Sequence, residues 1–164
     1  MQIREAHESD FEGIWCIFQG VAAAGETYAY DRSTNRSQAI KLWCEAPRKT
    51  YVAVQDNQVL ATYYLKNNQA GPGNHVCNCG YMVAPEARGK GLATLLCEHS
   101  EKIAVELGYS AMQFNFVAAS NVGAIRLWHK SGFETVGRLP KAFNHPKLGL
   151  VDALVMYKWF AEEN

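Results

Sequence analysis

The chain has 164 residues, 48% hydrophobic and 20% charged, which is enough for a substantial core and fits one domain over residues 1–164. Lys plus Arg equals Asp plus Glu at 16 each, so neither a basic field that would gather nucleic acid nor an acidic tail is present, and any positive patch has to be local. Met1 to Glu5 turns polar too early for a signal peptide and no apolar run approaches membrane-spanning length, so a cytoplasmic location without membrane contact is expected. The five cysteines (Cys16, Cys44, Cys77, Cys79, Cys97) follow no regular framework and fit reduced thiols; Cys77 and Cys79 share a strand face without further ligands at metal spacing and read as small core residues.

In chain order, Gln2 to Ala6 predicts a strand. A helix follows from Ser9, capped reciprocally with Glu12, its apolar stripe formed by Phe11, Ile14, Trp15 and Phe18. Arg36 to Glu45 predicts a second helix, ended by Pro47. Thr50 to Gln55 and Val59 to Leu65 read as a hairpin through Asp56-Asn57, and Lys66 to His75, with Gly71-Pro72-Gly73, as a loop. Strand Val76 to Val83, helix Leu92 to Leu107 and strand Ala111 to Val117 form a β-α-β unit, with Gly108 placed to end the helix and a right-handed crossover making the strands parallel. Leu92, Leu95, Leu96, His99, Ile103 and Leu107 fall on one helical face, with Glu98 and Lys102 paired on the other. A helix at Val122 to Lys130 and strands at Glu134 to Leu139 and Val151 to Trp159 complete an α/β layer.

The segment Arg88-Gly89-Lys90-Gly91-Leu92-Ala93 lies between a strand and the start of a helix. Unpaired N–H groups and the aligned peptide dipoles favour an anion there, glycine allows close approach, and Arg88 and Lys90 add full charge. Gly91 after Lys90, where a Walker loop needs Ser or Thr, speaks against a nucleotide-triphosphate loop. A dinucleotide fingerprint wants glycine where Thr94 stands and an acidic residue where Phe114 to Val117 stand. The spacing R-x-x-G-x-A resembles motif A of the GNAT N-acetyltransferase superfamily, whose loop takes the acetyl-CoA pyrophosphate.

Asn121 to Phe133 resembles motif B of the same superfamily, with Asn121, Ala124, an aromatic at Trp128 and the pair Gly132-Phe133. The resemblance covers essentially the whole chain. It implies an α/β GNAT fold, with a mixed central sheet of about seven strands, four helices, and splayed parallel central strands joined by the motif A helix. It implies acetyl-CoA as cosubstrate, without a metal, contacted by Met82, Val83, Arg88, Gly89, Lys90, Gly91, Leu92, Ala93, Asn121, Ala124 and Trp128. Many members carry Tyr where this chain has Trp128, and indole N–H does not give up its proton, so Trp128 cannot protonate the departing thiolate. The thiolate must then be protonated by water or stabilised by neighbouring donors, of which the Asn121 amide is the nearest candidate, and Trp128 alternatively only packs.

Gly25-Glu26-Thr27-Tyr28, Asn78 before Gly80-Tyr81, and Phe114-Asn115-Phe116 give a narrower resemblance to fungal acetyltransferases of proline and azetidine-carboxylate analogues. It implies a small amino or imino acid acceptor. Asn78 and Asn115 are conspicuous among strand formers, and either satisfy one another or a bulge in the sheet, or bind substrate.

An acceptor amine of pKa about 10.4 costs roughly 4 to 5 kcal/mol to neutralise at pH 7, so a base or a desolvating site is expected. Glu26, in a loop with Tyr28 and Tyr30, is the first candidate, acting through water or binding the ammonium; His75 and His145 are weaker ones. Glu26, Asn115 and Asn121 are the expected catalytic residues, with Glu26, Tyr28, Asn78 and Asn115 around the acceptor. The resemblance implies direct attack on the thioester, with a backbone N–H near Val83 meeting the oxyanion and the pantetheine arm running along Met82 and Val83. The acceptor is expected to be a small-molecule amine such as an amino acid, imino acid or amine toxin. An acetyl-CoA-binding regulatory module and a protein N-terminal acetyltransferase stay open as alternatives, and a homodimer is plausible by analogy.

Overall fold

The computed structural model describes residues 1–160. Its sheet holds seven strands: β1 (Gln2–Glu5), β2 (Lys49–Gln55), β3 (Gln58–Asn67), β4 (Val76–Val83), β5 (Ala111–Ala118), β6 (Glu134–His145) and β7 (Gly149–Trp159). Four α-helices accompany them: α1 (Phe11–Ala24), α2 (Arg36–Ile40), α3 (Leu92–Glu106) and α4 (Val122–Lys130). The spatial order is β1-β2-β3-β4-β5-β7-β6, every neighbour antiparallel except β4 and β5. This is the expected α/β arrangement, with the β-α-β unit through α3 at its centre. Among the described residues no helix is long and apolar enough to cross a membrane.

The parallel ladder is short. It joins Val76 to Ala111, Cys77 to Met112 and Asn78 to Gln113, and goes no further. Beyond that rung, an irregularity between Phe114 and Val117 bends β5 along β7, and the two central strands diverge into a cleft. Asn78 finishes the ladder with its side chain: Nδ2 donates to the Gln113 carbonyl (3.0 Å), while Oδ1 accepts from the Tyr64 hydroxyl (3.0 Å). An asparagine in a strand is well suited to a fork, because its amide can satisfy a carbonyl that backbone pairing leaves open.

Trp43, fully buried, anchors the helical layer. Its indole N–H donates to Thr62 Oγ1 (3.0 Å), the Thr62 hydroxyl donates to the Tyr51 carbonyl (2.9 Å), and Thr50 Oγ1 donates to the Trp43 carbonyl (2.7 Å). Every polar atom in this chain of contacts has a partner, which makes its burial tolerable.

Several local expectations are corrected. Ser9 does not cap α1; a 3-10 turn over Glu8–Asp10 precedes it, and the Asp10 carboxylate accepts from the His7 N–H (2.8 Å) and from Arg4 (2.7 and 2.9 Å). The stretch after Ile40 winds as a π turn over Lys41–Glu45 instead of continuing as α-helix. Leu95 is exposed; Leu92, Leu96, Cys97, Ser100 and Ala104 form the buried face of α3, and Lys102 pairs with Glu106, not Glu98. The loop after β3 begins two residues later than expected, because Lys66 and Asn67 pair with Asn78 and Cys77. The last two strands are longer than their apolar runs suggest. Pro140 and the polar Asn144 and His145 look like strand ends, yet a bulge between Leu139 and Phe143, with Lys141 at φ 53°, carries β6 on to His145.

Candidate functional site

Residues 89–93 form the turn into α3 and the start of that helix. Gly89 and Gly91 have φ of 74° and 77°, and nothing lies within 4 Å of where a Cβ would project at either. Both positions therefore require glycine for backbone conformation, and the space beside them is open. Among the described residues, none of the N–H groups of residues 89–93 makes a backbone hydrogen bond; the first to do so are Thr94 and Leu95, both to the Gly91 carbonyl (3.1 and 3.2 Å). A row of free donors on the positive end of a 15-residue helix is a site for an anion such as a pyrophosphate.

This loop opens into a cavity of about 910 Å³ that continues between β4 and β5 to the segment after α1. Arg88, Gly89, Gly91, Leu92 and Ala93 of the loop line it, together with Met82, Val83, Asn121, Ala124 and Trp128 and with Glu26, Tyr28, Asn78 and Asn115. Most of the site residues expected from sequence are therefore brought to one cleft. Lys90 is not on it. It lines a separate, smaller depression with Glu86 and Gln55, where a place on the cleft was expected.

Tyr28 reaches across the fork from the α1–α2 connection. Its hydroxyl donates to the Tyr81 carbonyl (2.9 Å) and accepts from the Tyr81 N–H (2.7 Å). These are the groups a paired β5 would have satisfied, so Tyr28 takes the place of the departed strand. Burial raises its pKa, so it remains a hydroxyl. Tyr28 thus lines the cleft with its ring while its polar atom is committed to the protein, where a substrate contact was expected. Strand alternation turns the Val83 N–H to the same side as that of Tyr81, toward the cleft.

Asn121 is the N-cap of α4, with Oδ1 accepting from the Ala124 N–H (3.3 Å). The buried Trp128 packs against Tyr81 and Phe114, ring centroids 5.0 Å away in both cases, and against Phe133 at 6.4 Å. Asn78 and Asn115 do not touch each other. Asn115 is exposed where β5 bulges, donating to Asn68 Oδ1 (2.7 Å) and accepting from Gln113 Nε2 (2.9 Å).

Glu26 sits on the rim, its carboxylate 3.0 Å from Lys147 Nζ at the tip of the β6–β7 hairpin. The Lys147 ammonium holds the Glu26 carboxyl below its ordinary range. His145 accepts from the N–H groups of Lys147 and Leu148 (both 3.2 Å), shaping that tip, while His75 packs near Trp159, outside the cleft. Cys77 and Cys79 are buried core residues whose thiols burial pushes up, Cys77 to about 12. Among the described residues no group of three or more metal-ligating side chains occurs.

Tyr64 and Lys66 are among the cleft residues that had no sequence signal. They line the cleft beside Asn78 because β3 pairs them with Gly80 and Asn78. Gly80 makes room for the Tyr64 ring: a Cβ there would lie 2.7 Å from Tyr64 Cε1.

The profile of the acetyltransferase (GNAT) family matches residues 3–133. The N-acetyltransferase aca1 of Schizosaccharomyces pombe is 34% identical over 84 residues, which are 51% of this chain and 40% of that protein, so the chain spans well under half of that relative. The solved structure of a GCN5-related N-acetyltransferase from Kribbella flavida is 39% identical, covers 97% of both chains and superposes with a TM-score of 0.92. A phosphinothricin acetyltransferase from Sinorhizobium meliloti, solved with AcCoA, shares the fold at a TM-score of 0.85 with 19% identity, over 98% of this chain and 89% of its own. With its forked central strands and glycine-turned helix start, the chain belongs to the GNAT family of acetyltransferases.

Proposed function

We propose that this protein transfers the acetyl group of acetyl-CoA to the amine nitrogen of a small molecule, such as an amino acid, an imino acid or an amine toxin, by direct attack in a ternary complex. The observation that carries this reading is the cleft of about 910 Å³ that joins the free N–H groups of residues 89–93 to the polar and aromatic side chains of Glu26, Tyr28, Asn78 and Asn115, a volume that suits two substrates. In this assignment Arg88, Gly89, Gly91, Leu92 and Ala93 take the pyrophosphate, with Lys90 contributing its backbone N–H alone. Met82 and Val83 run beside the pantetheine arm, and Ala124 and Trp128 form the opposite wall.

The Val83 N–H is the donor for charge developing on the carbonyl oxygen, and a donor so placed lowers the barrier by about 3 kcal/mol. Glu26, kept ionised by Lys147, is better suited to attracting and orienting an ammonium than to a base with pKa near neutrality, and the amine's proton leaves to water. Asn121 stands beside the thiolate that leaves, which takes its proton from water because Trp128 has none to give.

Purified protein incubated with acetyl-CoA and a panel of amino acids, imino acids and amine antibiotics, with CoA release followed by a thiol reagent, tests this. Acceptor-dependent release is expected. Tight acetyl-CoA binding without release by any acceptor would instead favour a binding module, the reading that the buried Trp128 in place of a proton donor supports.

A further inference from the structure

We propose that the acceptor carries a carboxylate, as an α-amino or imino acid does, and that Lys66 is the residue that holds it; this rests on the transferase reading above. Three charged side chains line the cleft, Glu26, Lys66 and Arg88, of which Arg88 is assigned to the pyrophosphate. Glu26 is paired with Lys147 at 3.0 Å. Lys66 has no carboxylate within 4.0 Å among the described residues; its Nζ lies 5.2 Å from the centroid of the Tyr64 ring. The acceptor half therefore has one uncompensated positive charge, steadied over an aromatic face that itself lines the cavity.

The neutral groups around Lys66 have the same bias. Lys66 stands opposite Asn78 in the β3–β4 register, and Asn68, two residues on, holds Asn115. Asn78 uses one N–H on the Gln113 carbonyl and Asn115 one on Asn68 Oδ1, and each amide has a second to give. Their oxygens are taken, Asn78 Oδ1 by Tyr64 and Asn115 Oδ1 by Gln113. This end offers donors and a cation and little to accept from a second amine. A carboxylate meets all three donors, whereas a polyamine or an aminoglycoside would set its own cations against Lys66.

The test pairs each acid with its carboxamide: L-proline with L-prolinamide, and L-alanine with L-alaninamide. Acetylation is followed by CoA release, with rates referred to the concentration of neutral amine, and binding of the same four ligands to the protein loaded with free CoA is measured by calorimetry. The acid should exceed its amide in kcat/KM by about tenfold to a hundredfold, the span of one charge-assisted hydrogen bond. Lys66→Gln should bring that preference to within about threefold, and Lys66→Arg should retain most of it. An amide used as well as its acid, or a preference untouched by Lys66→Gln, overturns the proposal. So does a change of more than about twofold in acetyl-CoA affinity in Lys66→Gln, which would place Lys66 with the cofactor. If no acceptor turns over, the transferase reading fails, and calorimetry still decides on Lys66: acids that bind the wild type and not Lys66→Gln support it, and equal or absent binding overturns it.

Discussion

Replacing Tyr28 with Phe removes a single hydroxyl and strands two backbone groups. The N–H and C=O of Tyr81 both rely on that oxygen, at 2.7 and 2.9 Å, because β5 has already turned away at Gln113. A buried backbone group left without a partner costs about 1 to 3 kcal/mol. Water from the cleft can reach part of the gap, so the expected loss for the two groups together is about 2 kcal/mol, or roughly 4 to 8 °C in Tm for a chain of this length. Denaturant unfolding followed by tryptophan fluorescence measures it. The midpoint should fall with the slope unchanged, since the surface exposed on unfolding is nearly the same. The same variant should bind acetyl-CoA more weakly, because the Val83 N–H lies two residues along the strand that Tyr28 steadies. A stability change below about 0.5 kcal/mol would mean that Tyr28 does not substitute for a strand, and would refute the account of how the fork is held open.

Gly80→Ala should destabilise by about 1 to 3 kcal/mol and weaken acceptor use more than acetyl-CoA binding, because its methyl group would lie 2.7 Å from Tyr64 Cε1; a neutral result in thermal unfolding would contradict the close approach. Arg88→Ala should weaken acetyl-CoA binding about tenfold by calorimetry and Lys90→Ala about twofold at most, whereas equal losses would put Lys90 back in the cleft. With the Glu26 carboxyl held below its ordinary range, the fall of kcat/KM toward low pH should track protonation of the acceptor amine; Glu26→Gln should lower the rate without moving that limb, and its disappearance would make Glu26 the base. Asp10, whose pKa is lowered first by its hydrogen bond to Arg4, stabilises the fold when ionised. The stability difference between wild type and Asp10→Asn should therefore be constant above the ordinary carboxylate value of 3.8 and fade as pH falls through the depressed one, which pH-dependent urea unfolding checks.

The β-α-β unit, the phosphate-type loop and the α4 motif were legible because each is specified locally: alternating or helical apolar spacing, glycines where φ must be positive, an asparagine at a helix start. The same reasoning placed Met82, Val83, Asn121 and Trp128 in one cleft, since parallel strands joined by a helix must present their loops at one end. It misjudged Lys90, because a residue between two left-handed glycines can point to either side of the loop and no local rule chooses. It placed Tyr28 on the cleft but could not show that its hydroxyl is committed to a backbone group 53 positions away. The long β6–β7 hairpin was hidden by Pro140 and by a bulge that lets polar residues continue a strand.

The sequence by itself therefore determined most of the helices and strands, the glycine turn that leads into α3 and the family to which the chain belongs. Only the tertiary structure decided where the central strands part, that Tyr28 fills the gap, that Lys147 pairs with Glu26, and that Lys66 lines the cleft without a carboxylate partner among the described residues. Such facts depend on strand register and on side chains meeting across long separations, where a shift of one residue would turn each group to the opposite face.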